Sequence, residues 1–337
     1  MKTILRLVLV VVAATTALVL AGNAFATQKL SVRQDPTSLA IKVSQAQSDP
    51  QPAKVTVYVP SGYTLNTSQA PGTKIGTATG NSFVRDSNIA LLPLAGDIVV
   101  ATPDTNATGC ATGTHLAVWT VDLQVGGQSQ KLPVHIDATA GSETALGAYK
   151  LVFCLPPADV PKDTPGRSPN GAQLLDATFK VDSVFTAPAG QRIWKAITTP
   201  WTPGLPVPNP TATLETRAFV SSGTVSLASK VLSAAKRIVK FSGEVMQSGS
   251  ALGGTQVNLL INDMARFRAR TNARGGYSVT LKKTGRKSVT TFQARVTVAE
   301  RDITASGCAS PSLPGVACVS ATGSPFTAVS RKIKVRI

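Results

Sequence analysis

The chain has 337 residues, of which 43% are hydrophobic and 15% are charged, and its 34 Lys and Arg against 17 Asp and Glu give a net charge of +17. Its four cysteines and two histidines lack the close spacing of a zinc site, so we predict no metal site and no cofactor. Residues 211–337 hold 19 of the basic and five of the acidic residues, which predicts a polyanionic partner for this half alone.

The first 26 residues have the three parts of a secretory signal peptide. Lys2 and Arg6 supply the positive start, residues 7–21 are apolar, and Ala-Phe-Ala at 24–26 forms a small-residue cleavage site. The apolar run of 15 residues is shorter than the roughly 20 that span a bilayer, which disfavours an uncleaved anchor. We therefore expect an exported protein, secreted or attached to the cell surface, that begins near Thr27 and has no later transmembrane segment.

Residues 27–198 have the period-two alternation of β-strands and predict an N-terminal β domain. No resemblance to a known family is identified for it. The clearest strands are Leu39–Val43, Val55–Val59, Leu116–Leu123, Tyr149–Leu155 and Leu174–Val181. Helical periodicity is weak along the whole chain.

The four cysteines of an exported chain allow three disulfide pairings. Their positions favour Cys110 with Cys154 and Cys308 with Cys318, one pair on each side of a proline-rich segment. That segment, residues 199–210, contains five prolines and predicts a linker between two domains, because proline interrupts both strands and helices.

The sequence offers little for catalysis, and we predict that the protein is not an enzyme. It contains no Gly-x-Ser-x-Gly elbow, and its cysteines are expected to be paired. His115 and His135, with Asp122 and Asp137 near them, could form a His–Asp pair, although ordinary strand histidines are the simpler interpretation.

Residues 211–337 contain eight short predicted strands, which is typical of a β-sandwich. We expect a loop followed by a strand, rather than a helix, over Val231–Val239. The strands are Leu214–Val220, Thr224–Leu227, Val239–Val245, Gln256–Ile261, Ala265–Thr271, Tyr277–Leu281, Thr290–Val298 and Ala328–Ile337.

Turn glycines and alternating strand residues recur in the middle of this half. They are Gly243-Glu244-Val245, Gly254 with Val257 and Leu259, and Thr271 followed by Gly275-Gly276-Tyr277-Ser278-Val279. This stretch resembles the carboxypeptidase regulatory-like and bacterial immunoglobulin-like modules. The resemblance implies a β-sandwich with a non-catalytic role as a spacer, an adhesive unit or a sugar-binding accessory. Physically, the glycine pair would allow a tight turn with positive φ.

Alternation also places basic residues on one side of predicted strands. If these strands share a sheet, they form one cationic surface for an anionic cell-envelope polymer or glycan. A solvated sheet face explains the same alternation, and both interpretations stay open. Sequence-specific nucleic-acid binding is not predicted, because stacking aromatic residues are scarce here. The candidate polyanion-binding residues are Arg266, Arg268, Arg270, Lys282, Lys283, Arg286, Lys287, Lys332, Lys334 and Arg336.

The sequence therefore predicts an all-β protein with two sandwich-like domains, residues 27–198 and 211–337. The first functional hypothesis is a secreted structural or binding module that attaches to envelope polyanions through its second domain. The alternative is an adhesive or carbohydrate-binding protein that uses Trp119, Trp194 and Trp201 of the first half, with the second domain as a spacer.

Overall fold

The computed structural model describes residues 27–35, 37–103, 110–125, 128–282, 289–303, 305–310 and 312–336. The predicted signal peptide, residues 1–26, and three candidate binding residues, Lys283, Arg286 and Lys287, lie outside this part of the chain. The described part is all-β, as the sequence predicts. Its helical segments are the short 3₁₀-helices Arg85–Ser87, Gly141–Ala145, Pro169–Gly171, Pro210–Ala212 and Ala305–Cys308.

The strands are numbered in chain order. Those before residue 221 are β1 (Lys29–Gln34), β2 (Ser38–Ser44), β3 (Pro52–Val59), β4 (Thr64–Leu65), β5 (Lys74–Val84), β6 (Ile89–Ala101), β7 (Ala117–Val125), β8 (Gln128–Ala138), β9 (Tyr149–Cys154), β10 (Ala172–Asp182), β11 (Phe185–Thr186), β12 (Arg192–Pro200) and β13 (Leu214–Val220). Those after it are β14 (Gly223–Val225), β15 (Ala228–Ser233), β16 (Ile238–Gln247), β17 (Ser250–Ala251), β18 (Gln256–Ile261), β19 (Met264–Arg270), β20 (Gly276–Lys282), β21 (Val289–Val298), β22 (Arg301–Asp302), β23 (Ala317–Gly323), β24 (Phe326–Val329) and β25 (Ile333–Arg336).

Thirteen of these strands form one large sheet in the order β1-β2-β10-β5-β6-β7-β8-β9-β3-β12-β13-β23-β22. Strand β7 illustrates how the sequence builds it. Ala117, Trp119, Val121 and Leu123 alternate along the strand and all enter one buried apolar core. Trp119 is 1% exposed, so this alternation gives the core one of its largest side chains.

The large sheet folds back so that its first strand, β1, lies beside β23. Ser320 Oγ donates a hydrogen bond to the Gln28 carbonyl at 2.6 Å, and Thr322 Oγ1 donates one to the Leu30 carbonyl. These hydroxyl groups bind one carbonyl in β1 and one just before it, so side chains of β23 cover this edge of β1.

The predicted linker, residues 199–210, lies between two neighbouring strands of this sheet. Pro200 ends β12, and β12 pairs antiparallel with β13. The turn between them is ordered by its own hydrogen bonds, since Thr202 N donates to Val207 O and Asn209 N donates to Pro200 O, both at 2.8 Å. The prolines interrupt the strands, but the sheet resumes on the far side and includes β13, β22 and β23. The division into two domains stays a prediction.

The remainder of the second half forms two five-stranded sheets. One contains β14, β15, β16, β17 and β20, and the other contains β18, β19, β21, β24 and β25. Phe241 of the first and Phe292 of the second are fully buried, with ring centroids 4.3 Å apart. The two sheets therefore pack face to face as a sandwich around a shared apolar core.

In this region the structure agrees with one sequence prediction and corrects another. Gly275 has a φ of +74° in the turn before β20, as its place in the glycine pair predicts. The predicted strand Ala328–Ile337 is instead two strands, β24 and β25, which both pair with β21. Ser330 separates them: its hydroxyl accepts a hydrogen bond from Ala294 N at 2.9 Å and so interrupts the regular ladder.

Candidate binding site

The exposed face of the β19-β18-β21-β25 sheet carries six basic side chains, which we call the cationic face. They are Arg266, Arg268, Arg270, Arg295, Lys334 and Arg336, and all are exposed. The pairing register explains why they lie together. Arg268 is opposite Asn258, which is opposite Arg295, and residues directly opposite in a ladder project from the same face.

The far end of the cationic face follows from the same register. Lys334 lies opposite Thr291, and alternation along β21 places Thr291 on the same side as Arg295. Arg266 occupies the irregularity where the β18–β19 register shifts, beside the two arginines that follow it. Three separate strands therefore deliver positive charge to one surface.

Carboxylates do not neutralise the cationic face. Within the described residues, none of its six basic groups has a carboxylate oxygen within 4.0 Å. Arg270 Nε donates to the Gly254 carbonyl at 2.8 Å, which orients this guanidinium without cancelling its charge. Lys332, just before β25, differs because its Nζ lies 2.8 Å from Asp263 Oδ1.

Lys282 does not share the cationic face. It ends β20, which pairs with β16 in the other sheet of the sandwich. There Lys240 lies opposite both Lys230 and Thr280, so Lys230, Lys240 and Lys282 form a second exposed basic group. The single surface expected from the sequence is therefore divided between the two sides of the sandwich.

Sequence reasoning missed Arg295 as a member of the cationic face. Its signal was the alternation Thr291, Gln293, Arg295, Thr297 along a predicted strand, in which the polar residues face out. A single arginine among neutral polar residues gives no charge cluster, so only the strand order reveals its position beside Arg268.

Both predicted disulfides are confirmed. Cys110 is bonded to Cys154 and Cys308 to Cys318, with Cα–Cα distances of 5.8 and 5.3 Å. Disulfides form in oxidising environments, which fits an extracellular protein.

The histidines do not form an open catalytic pair. His115 Nδ1 lies 2.9 Å from Asp137 Oδ1, as a His–Asp pair requires, but His115 and His135 are only 5% and 3% exposed. Their rings pack together with centroids 4.3 Å apart. Both imidazole rings are therefore packed inside the structure, and the His115–Asp137 contact is not exposed to a substrate.

The three tryptophans have different environments. Trp119 and Trp194 are 1% and 0% exposed and belong to the core of the large sheet, where they cannot meet a ligand. Trp201 is half-buried, and its Nε1 donates to the Leu155 carbonyl at 3.1 Å. Its ring lines a pocket of about 600 Å³ with polar groups from Asp49 and Asn209.

A smaller cavity of about 70 Å³ lies inside the large sheet and is lined almost entirely by apolar side chains. The cavity lies among strands β2, β3 and β5 to β10, and Phe153, Leu155 and Leu174 form part of its wall. In the described residues there is no group of three or more His, Cys, Asp or Glu placed to hold a metal ion. Nor does any helix there have the length and apolar character needed to cross a bilayer.

No family model matches the chain, and no curated protein matches it. Among solved structures, it is similar to a tetra-tandem repeat in the extending region of a large adhesion protein, at 11% identity over 92% of this chain and 99% of the other. The TM-score of 0.24 is too low for this similarity to support a conclusion about fold or function.

Proposed function

We propose that the protein is an exported, non-catalytic binding module whose cationic face associates with anionic polymers of the cell envelope. The observation that carries the proposal is the convergence on one exposed surface of six basic side chains, from β19, β21 and β25, that have no carboxylate partner among the described residues. A chain polyanion can contact many such groups at once and release its counterions, so weak contacts sum to useful affinity.

Three further features support this proposal. The signal-peptide pattern of residues 1–26 and the two disulfides fit export. The six basic side chains of the cationic face are all exposed, so a polymer can reach them. Finally, the resemblance of residues 243–279 to carboxypeptidase regulatory-like modules fits a non-catalytic role.

Retention of the full mature chain on immobilised polyglycerol phosphate, measured against salt concentration, tests the proposal. The triple variant Arg268→Ser, Arg295→Ser, Lys334→Ser should elute at lower salt, and the negative slope of log affinity against log salt should decrease in magnitude by about 3. The matched control is Lys230→Ser, Lys240→Ser, Lys282→Ser, which removes the same charge from the other side of the sandwich. Equal losses in both triples, or no salt-dependent retention of the native chain, would overturn the proposal.

A second candidate function is glycan binding in the Trp201 pocket. Its volume of about 600 Å³ suits a small ligand, and it pairs an aromatic ring with the polar side chains of Asp49, Asn209 and Thr211. Trp201→Ala should abolish signals on a glycan array, whereas Leu205→Ala, an exposed residue in the same turn, should leave them unchanged. Array signals that survive Trp201→Ala would exclude this pocket.

A further inference from the structure

The carboxylate of Asp49 holds the first described residue of the chain. Asp49 is only 7% exposed. Its Oδ2 accepts hydrogen bonds from Thr27 N at 3.2 Å, from Thr27 Oγ1 at 2.9 Å and from Ala46 N at 3.0 Å. Three donors thus converge on one oxygen, and two of them belong to Thr27.

This carboxylate lacks a basic partner. Within the described residues, no Lys, Arg or His nitrogen lies within 4.0 Å of either Asp49 oxygen. A buried carboxylate without a cation is costly unless something else compensates its charge. The backbone nitrogen of Thr27 already occupies the position that a cation would take.

The sequence places a cleavage motif directly before that nitrogen. Ala-Phe-Ala at 24–26 follows an apolar run, as the small residues before a signal-peptide cleavage site do. Hydrolysis of the Ala26–Thr27 peptide bond adds one water, leaves a carboxylate on Ala26 and frees the α-amine of Thr27. That amine has an ordinary pKa of about 7.7–8.0, so it is largely protonated at and below neutral pH.

We propose that export processing cuts the chain between Ala26 and Thr27, and that the new α-ammonium group of Thr27 forms an ion pair with Asp49. The pairing requires no rearrangement, because the nitrogen is already within ion-pair distance. The cut therefore supplies the cation that the Asp49 site lacks, and it locks the start of β1 onto the segment between β2 and β3. This inference concerns maturation and does not depend on what the cationic face binds.

The first test is the identity of the mature terminus. The full 337-residue chain is expressed in a secreting bacterial host, and the exported protein is analysed by intact mass and N-terminal sequencing. Thr27 is the expected first residue. Any other terminus, or an uncleaved chain, overturns the proposal.

The second test asks whether the ammonium group acts through Asp49. A chain that begins at Thr27 is compared with one that begins with Gly-Ala before Thr27, which displaces the ammonium by up to about 7 Å. We expect the extended chain to have a Tm about 2 °C lower, and we expect Asp49→Asn to abolish this difference. Equal Tm values in the native background overturn the proposal by themselves, so the test stands even if Asp49→Asn does not fold.

The matched control is Asp302→Asn. Asp302 also lies near the chain start, where its Oδ1 is 2.8 Å from Lys29 Nζ, but its side chain is 69% exposed. The Tm difference between the two chain starts should persist in this variant. A difference that survives Asp49→Asn, or that vanishes with Asp302→Asn, would show that Asp49 is not the partner.

Discussion

Glu215 Oε1 lies 2.5 Å from Arg217 Nε, and the two side chains form a buried ion pair on β13. Glu215 is fully buried and Arg217 is 9% exposed. The pair also holds the disulfide-bonded loop before β23, because Arg217 Nη1 donates to the Gly307 carbonyl at 3.1 Å and Glu215 Oε2 accepts from Ser312 N at 2.8 Å. A strand of the large sheet and a distant loop thus depend on the same two charges.

Glu215→Ala should destabilise the protein by about 3–5 kcal/mol, because it leaves the Arg217 charge buried without its partner. Urea unfolding monitored by circular dichroism measures the change. Lys332→Ala is the control, since its pair with Asp263 is exposed and should contribute at most about 1 kcal/mol. A loss below 1 kcal/mol for Glu215→Ala would show that the pair adds little to stability.

The pH dependence of stability should include a contribution from Glu143. Burial would raise the pKa of this carboxyl from its ordinary value of 4.5, but hydrogen bonds donated by Lys150 and Tyr58 outweigh it and hold the pKa lower. The ionised Glu143 carboxylate therefore stabilises the fold fully above pH 4.5. This stabilisation is lost as the pH falls through the lower pKa of the carboxyl in the folded protein. The native protein and the Glu143→Gln variant should differ less in their free energy of unfolding as the pH falls. Urea unfolding between pH 7 and pH 3 measures this difference. A gap that is independent of pH would contradict this assignment.

The predicted division into two domains can be tested through Phe241, whose ring bridges the two sheets of the sandwich. Phe241→Ala should cost about 3–5 kcal/mol. All three tryptophans precede residue 202, so tryptophan fluorescence reports on the first region alone, whereas far-UV circular dichroism reports on both. If the sandwich unfolds separately, the variant shifts the dichroism transition and leaves the fluorescence midpoint unchanged. Equal shifts in both signals would mean that the chain unfolds as one unit.

The two disulfides should contribute different amounts to the free energy of unfolding. Replacing Cys110 and Cys154 by Ser releases a constraint across 44 residues and should cost about 4 kcal/mol, and replacing Cys308 and Cys318, 10 residues apart, about 3 kcal/mol. Guanidinium unfolding of the two double variants measures both values. A larger loss for the shorter loop would indicate that the loop before β23 requires its disulfide for native packing.

Much of the sandwich could be predicted from the sequence because its strands alternate strongly. Gln256–Ile261 of the sandwich begins and ends where alternation places it, and so does Leu214–Val220, which belongs to the large sheet. Strands β5 and β6 were missed for different reasons. Short residues make up most of β5 and carry little hydrophobic signal, whereas β6 is apolar along most of its length without regular alternation and contains Pro93. Gly76 and Gly80 of β5 approach β10 so closely that an added Cβ would lie 2.0 Å from Lys180 O and 2.1 Å from Asp176 O. This close approach of β5 to β10 is not visible as periodicity in the sequence.

The sequence also did not predict which strands pair with one another. Alternation shows that β13 is a strand but not that it pairs in parallel with β23, about a hundred residues later. The same limit applies to the cationic face. Arg268 and Lys334 were predicted to project from strands, but only the strand order adds Arg295 and places Lys282 on the other side of the sandwich.

The apolar cavity beside Leu155 and Leu174 makes the large sheet sensitive to hydrostatic pressure. Unfolding eliminates internal voids, and its volume decrease grows with their volume, so this cavity of about 70 Å³ adds to the decrease. Compression therefore favours the unfolded form of this region. A bulkier side chain that filled the void, such as Leu174→Phe, would reduce this volume change and increase resistance to pressure.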